Sequence, residues 1–311
     1  MTEQKIHDLV ILGGGPAGAT AALYGTRAGL SVVVLEKMMV GGEITSTDRL
    51  DNFPAFPEGI SGAEFGMLLQ QQLEALQVPV YTADIEKVSL AEDVKKITTS
   101  AGEFAGKNVL IATGTEPKLL GAEGEQEFVG RGVSYCATCD AAFFRGKEVA
   151  VIGGGNAALE ETIFLDRFAS KIYLIHRRDQ FRGVKGLQDK VLSLPDVEVL
   201  WNTTVSKIEG DNKVRGLQLN QDGKERFLEV GGVFIYAGRT ATAPFLKDQD
   251  IETDKNGFIA TNEKMETSIP GVYAAGDIRQ KYLRQVITAA SDGAVAATAA
   301  AQSIYIYGGQ V

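Results

Sequence analysis

The sequence predicts an α/β protein made of two doubly wound units, the second inserted in the first. Three observations predict it: a Gly-rich strand–turn–helix motif near the N-terminus, a second copy of that motif in the middle of the chain, and apolar runs that bracket the second copy.

The first copy opens with the apolar run 8–12 and turns through Gly13, Gly14, Gly15, Pro16, Ala17 and Gly18. A helical stretch over 19–28 comes next, then a second apolar run over 31–35 that ends at Glu36. Strand, Gly-rich turn, helix and strand with an acid at its tip is the layout of a dinucleotide-binding βαβ unit. The second copy runs 148–152, then Gly153, Gly154, Gly155, Asn156, Ala157 and Ala158, then a helix, then 171–175 and His176. Gly13, Gly15, Gly18 and position 36 correspond to Gly153, Gly155, Ala158 and position 176 with one constant offset of 140. A lone G-x-G-x-x-G is weak evidence, but two in register with their flanking strands are not.

The remaining landmarks divide the chain. A buried strand over 109–114 ends in a turn, and 232–238 repeats that design. Residues 115–243 therefore form the inserted unit, with hinges expected near Gly114 and near 242–244. Residues 1–114 and 244–311 form the first unit, rejoined through 271–277. Segments 80–105 and 197–230 alternate apolar and polar residues, with turn residues such as Asp211-Asn212 and Asp222-Gly223. They predict a small antiparallel sheet on each unit.

Composition narrows the function classes. At 311 residues, 44% hydrophobic and 23% charged, the chain has the make-up of a soluble two-domain protein. A net charge of -9 argues against nucleic-acid binding, which needs a positive surface. No basic segment with an apolar run and cleavage site opens the chain, and the Ala-rich stretch 289–301 is short and broken by Asp292. These features predict a cytoplasmic protein with no membrane contact. In that reducing compartment two cysteines separated by two residues call for a redox or metal explanation.

The side chains at the end of each motif's second strand select the ribose. Glu36 can accept hydrogen bonds from a 2′-hydroxyl and would repel a 2′-phosphate, which suits FAD or NAD. The second motif places His176, Arg177 and Arg178 there, with Arg182 four residues on. Such a group of cations suits a 2′-phosphate. FAD is therefore expected in the first unit and NADPH in the second. Asp277, in a Gly-Asp turn after an apolar strand, is placed to meet the polyol linker of a flavin.

Cys136 and Cys139 frame the segment CATCD just before the second nucleotide strand. A zinc site needs further ligands, and the chain has no other cysteine and only His7 and His176, so no metal is expected. A redox pair needs only these two thiols, joined by a loop short enough to close a disulfide. Dithiol exchange also needs a proton donor and acceptor, and Asp140 is the nearest candidate. The same aspartate could instead cap a helix beginning at Ala141.

The stretches GGGPAGATAALY, GGEIT, DNFP, IATG, GRGVSYCATCD, VIGGGNAALEE, HRRDQFR, METSIPGVYAAGD and LRQVITAASDG together resemble the low-molecular-weight bacterial thioredoxin reductases along nearly the whole chain. The resemblance implies two Rossmann-like three-layer domains, one for FAD and one for NADPH, a homodimer, and a large rotation of one domain. It implies that Cys139 lies nearest the flavin, that Cys136 attacks a thioredoxin disulfide and that Asp140 donates the proton. It implies FAD contacts from Gly13, Gly15, Pro16, Ala17, Gly18, Glu36, Lys37, Gly42, Glu43, Ile44, Asn52, Ile85, Ala112, Thr113, Gly114, Gly276, Asp277, Arg284, Gln285 and Val286. NADPH contacts are implied for Gly153, Gly154, Gly155, Asn156, Ala157, Ala158, His176, Arg177, Arg178 and Arg182, and a place in thioredoxin docking for Arg131.

Some positions depart from the family pattern. Glu43 stands where Gln is commoner, Ala141 replaces a frequent Gly, and 183–186 and 239–242 also differ. These bear on reductant preference and flavin tuning. The alternatives are a related flavoprotein using NADH or ferredoxin, one serving a non-thioredoxin acceptor, or a redox sensor without turnover.

Overall fold

The computed structural model describes residues 5–47, 50, 52–241 and 243–307, with 138, 139, 306 and 307 described by their backbone alone. The chain divides into two compact units: residues 1–116 with 240–311, and residues 117–239.

The first unit begins with β1 (Ile6–Leu12), in which Leu9 to Leu12 are at most 1% exposed. A stretch covered on both faces has to be apolar, and Leu9 to Leu12 are, while His7 and Asp8 stand at the strand's start. α1 (Pro16–Arg27) starts on a proline, whose missing N–H is no loss at a first helical position. Next come β2 (Val32–Glu36), α2 (Gly62–Ala75), β3 (Val80–Thr82), β4 (Ile85–Ser89), β5 (Lys95–Thr99) and β6 (Gly102–Ile111). The strand order is β3-β2-β1-β6-β5-β4, with β1, β2 and β3 parallel and β1 also parallel to β6.

β6 changes partner along its length. Residues 102–106 pair antiparallel with β5, and 109–111 pair parallel with a strand from much later in the chain. The antiparallel strands of this unit therefore extend its main sheet through β6 instead of forming a separate one. Residues 80–82 also differ from the hairpin expected of them: they come after α2, and a strand returning from a crossover helix pairs in parallel.

The chain leaves the first unit at β7 (Glu116–Pro117). The second unit contains β8 (Val133–Ser134), α3 (Ala137–Asp140), β9 (Glu148–Ile152), α4 (Asn156–Leu165), β10 (Lys171–Ile175), α5 (Lys185–Leu192) and β11 (Val197–Leu200). β12 (Thr203–Gly210), β13 (Val214–Gln221) and β14 (Lys224–Glu229) form a separate antiparallel sheet. Its second turn is Asp222-Gly223, both at positive φ (49° and 81°), as a tight hairpin requires. β15 (Gly232–Ile235) completes a parallel sheet ordered β11-β10-β9-β15-β8. β11, like β3, comes after a helix and joins this sheet in parallel.

β16 (Arg239–Thr240) pairs with β7 where the chain returns. β17 (Val272–Ala274) then docks on 109–111 of β6, and α6 (Val286–Gln302) ends the unit.

Alternate strand residues face opposite layers. In the first unit Leu9, Ile11, Val32, Val34 and Leu110 pack on the alanines of α1 and α6, while Val10, Leu12, Val33, Leu35 and Val109 face Val88, Ile97, Ile259 and Ile269. In the second unit Val149, Val151 and Phe234 face α4 and α5, while Ala150, Ile152 and Val233 face β12, β13 and β14. Each unit thus stacks helices, parallel sheet and antiparallel strands in three layers. Among the described residues no helix is long and apolar enough to cross a membrane.

Candidate functional site

The first Gly-rich loop is shaped by close approaches that exclude side chains. A Cβ at Gly13, which sits at φ +102°, would meet the Ala112 carbonyl oxygen at 2.5 Å, and one at Gly18 would drive into the Gly13 oxygen. The start of α1 can therefore lie directly on the end of β1 and beside Ala112 and Thr113. Gly42 closes in from the other side, with its Cβ position 3.3 Å from Gly15 Cα, and Gly41 N–H donates to Gly14 O at 2.9 Å. Gly42, Glu43 and Ile44 belong to a single 3₁₀ turn, Gly42–Ser46, in which Glu43 is exposed.

Glu36 is buried at 9% exposure. Its carboxylate accepts Gly14 N–H at 2.5 Å and Met38 N–H at 2.9 Å. Lys37 is exposed and pairs with Asp84 at 3.3 Å, beside Ile85. Asn52 donates to the Gln285 side chain at 2.7 Å, at the N-terminus of α6 and next to Val286. Arg284 lies 4.0 Å above the Phe258 ring and donates to the Asp277 carbonyl at 3.3 Å. Gly276 and Asp277 form a 3₁₀ turn directly after β17.

The second unit repeats this design with other side chains. Gly154 O accepts N–H from Arg182 at 2.7 Å, as Gly14 O accepts from Gly41, and Val184 N–H donates to Asn156 Oδ1 at 2.8 Å. The basic turn is thereby tied to the Gly-rich loop. Its members do not share one environment. Arg177, Arg178 and Arg182 are exposed, whereas His176 is 5% exposed, packed near Phe181 and Trp201. A Cβ at Gly154 would strike the His176 ring. Burial holds the His176 imidazole below the usual histidine range, with Arg182 and Arg178 pushing the same way against hydrogen bonds at Gly153 and Gln180. The cations of this turn are the three arginines, and His176 is its buried neutral floor.

Both loops fit a bound pyrophosphate. α1 and α4 start at Gly15 and Gly155 with no side chain capping them, whereas α2 is capped by Ser61 Oγ, which accepts Glu64 N–H at 3.1 Å. Uncapped N-termini leave amide hydrogens and the positive end of the helix dipole for an anion. A Cβ at Gly155 would meet nothing within 4 Å, so the space over that loop is open. Thr113 Oγ1 and His176 Nε2 are buried with no protein hydrogen-bond partner, one beside each loop.

The cysteine segment runs from Cys136 into α3. Cys136 is half-buried and disulfide-bonded, and its amide donates to Ser134 Oγ at 3.0 Å. The side chain of Cys139 lies outside the described residues. Ala137 N–H donates to the Tyr236 hydroxyl at 2.9 Å. Burial pushes the Tyr236 phenol upward, reinforced by the charges of Glu161 and Asp140. Asp140 is half-buried at the start of a 3₁₀ turn and makes no side-chain capping bond. Its carboxylate is therefore not occupied as a helix cap. Arg131 is exposed, with its guanidinium 5.4 Å from the Phe128 ring centroid. Tyr236 carries no local sequence signal; only its place at a strand end facing the cysteine helix reveals it.

A family model described as pyridine nucleotide-disulphide oxidoreductase matches residues 7–293. Thioredoxin reductase of Bacillus subtilis is 42% identical over 300 residues, covering 96% of this chain and 94% of the relative. That of Treponema pallidum is 41% identical, covering 96% and 97%. Among solved structures, the thioredoxin reductase of Lactococcus lactis matches at a TM-score of 0.92 with 39% identity, covering 96% of this chain and 99% of that one. The thioredoxin reductase of T. acidophilum matches at 0.89 with 32% identity, covering 97% and 100%.

Proposed function

The chain belongs to the pyridine nucleotide-disulphide oxidoreductase family, and on that premise we propose that it is a flavin-dependent thioredoxin reductase, with FAD held by the first unit and NADPH by the second. The observation that carries the reading is a disulfide-bonded Cys136 in the same unit as a Gly-rich loop tied to three exposed arginines. The reaction is NADPH + H⁺ + thioredoxin disulfide → NADP⁺ + thioredoxin dithiol. FAD and NADPH, when bound, supply the hydride chemistry that delivers two electrons to the Cys136–Cys139 disulfide.

The chain's residues do the rest. Gly13 to Gly18 and the start of α1 take the FAD pyrophosphate, and Glu36 receives its adenosine ribose. Arg177, Arg178 and Arg182 read the 2′-phosphate by bidentate charge-assisted hydrogen bonds. The Cys136 thiolate attacks the thioredoxin disulfide, and one substrate sulfur leaves as a thiol. Cys139 then attacks the mixed disulfide, reforming the Cys136–Cys139 bond and releasing the second thiol. Asp140 carries the proton on and off the pair. The enzyme acts as a homodimer in the cytoplasm. The basic turn favours NADPH over NADH and over a ferredoxin donor, neither of which presents a 2′-phosphate.

The test is stopped-flow flavin reduction by NADPH, NADH and reduced ferredoxin, followed by addition of thioredoxin. NADPH should reduce the flavin fastest, and thioredoxin should reoxidise it. In Cys136→Ser the flavin should still be reduced while thioredoxin turnover disappears. Full turnover in that variant would refute the mechanism.

A further inference from the structure

The turn bearing Asp277 is gripped by buried charges that the proposed reaction does not use. Asp292, on α6, is 7% exposed. Its Oδ2 accepts three hydrogen bonds: from Gly276 N–H at 3.0 Å, Arg279 Nε at 3.1 Å and Lys281 Nζ at 2.6 Å. The Arg279 and Lys281 side chains are themselves only 15% and 7% exposed. Removing three charged groups from water is unfavourable unless their geometry is fixed, so this cluster holds one arrangement of the backbone around it.

That arrangement joins the two halves of the first unit's loop region. Gly276 sits at φ +79°, and a Cβ there would meet Ala17 Cβ at 3.0 Å. Gly293, the neighbour of Asp292, lies so close to α1 that a Cβ would drive into the Ala17 oxygen. The first turn of α1, the Gly276–Asp277 turn and Asp292 thus converge on Ala17. The Asp292 carboxylate faces two cationic side chains and the Asp277 carboxylate stands in the adjoining turn, so removing a charge of either sign from the cluster shifts the balance beside Asp277.

We propose that Asp292 is a positioning residue for the flavin: with Arg279 and Lys281 it locks the Gly276–Asp277 turn against α1, and the charge balance of this cluster sets the reduction potential of the bound flavin. The proposal rests on the reading of the first unit as the FAD domain. Asp292 acts through Gly276 and its cationic partners.

FAD affinity of the apoprotein and the midpoint potential of the bound flavin would be measured in wild type, Asp292→Asn, Lys281→Met and Lys281→Arg. Asp292→Asn should weaken FAD binding about ten-fold, the size of coupling usual between members of one buried network. Its potential should shift positive, because a negative charge is lost, and that of Lys281→Met should shift negative. Lys281→Arg should restore the wild-type potential. A strut without electrostatic reach would not separate the two variants in sign. If Asp292→Asn does not fold, the Lys281 pair decides: equal potentials in wild type, Lys281→Met and Lys281→Arg would overturn the proposal. Wild-type FAD uptake with unchanged affinity and potential in all variants would overturn it while leaving the functional reading intact. A wild-type chain that takes up no FAD would sink that reading and the proposal together.

Discussion

The hydroxyl of Tyr236 accepts the amide hydrogen of Ala137 at 2.9 Å, tying the end of β15 to the first residue inside the cysteine segment. Ala137 is fully buried, so no water can replace that acceptor. Tyr236→Phe should lower the stability of the oxidised protein by about 1–3 kcal/mol, the penalty of a buried donor left unmade. Urea denaturation of the two proteins checks it; an unchanged midpoint would show that the bond contributes nothing.

Two glycine substitutions should separate shape from ligand access. Gly18→Ala drives a Cβ into the Gly13 backbone, so the protein should lose FAD and aggregate on expression. Gly155→Ala meets no protein atom. It should fold, keep FAD and raise the KM for NADPH about ten-fold or more, since the methyl enters the space above an uncapped helix start. Flavin content and steady-state kinetics distinguish the two; an unaltered KM in Gly155→Ala would place the nucleotide elsewhere.

Arg177 and Arg178 are exposed and tethered through the backbone of their turn. Replacing both with Gln should raise the KM for NADPH by about 10–100-fold, from the loss of charge-assisted hydrogen bonds, and leave the NADH value nearly unchanged. Parallel assays with both nucleotides give the ratio directly. Equal losses would mean that the turn does not read the 2′-phosphate.

His176 predicts a pH dependence of stability. Its folded-state pKa is depressed by burial, so the unfolded chain binds more protons on acidification. The stabilisation is complete above the unfolded value of about 6.5 and is lost as pH falls through the folded value. His7 is depressed by burial as well and adds a loss of the same sign. His176→Gln should therefore flatten, but not abolish, the fall in Tm between about pH 7 and 5. Differential scanning calorimetry across that range is the measurement, and identical slopes would contradict the assignment.

The parts of this molecule written as local pattern were legible in the sequence. β1, α1 and β2, and their counterparts β9, α4 and β10, arise from apolar runs and glycine spacing, because period and turn chemistry act over a few residues. Contacts between distant residues were not legible. Tyr236 meets Ala137 from 99 positions away, and Asp292 looked only like a charge interrupting an alanine-rich helix. His176 shares a run with two arginines, yet it continues the inward face of Ile172 and Leu174 and lies under Gly154, while the arginines lie past the strand end in water. The double pairing of β6 was hidden for a related reason: nothing in residues 102–111 says that their second partner lies beyond the whole inserted unit.

That strand sets an order of assembly. During synthesis, residues 109–111 are made long before 272–274, and everything from 117 to 239 emerges between them. Until then the first unit presents a bare, wholly apolar sheet edge, the kind of surface that recruits other chains. The inserted unit contains all the strands of its own sheets and can close first. That edge, and the sheet faces later covered by Ile259, Ile269 and α6, stay open for as long as the insertion takes to translate.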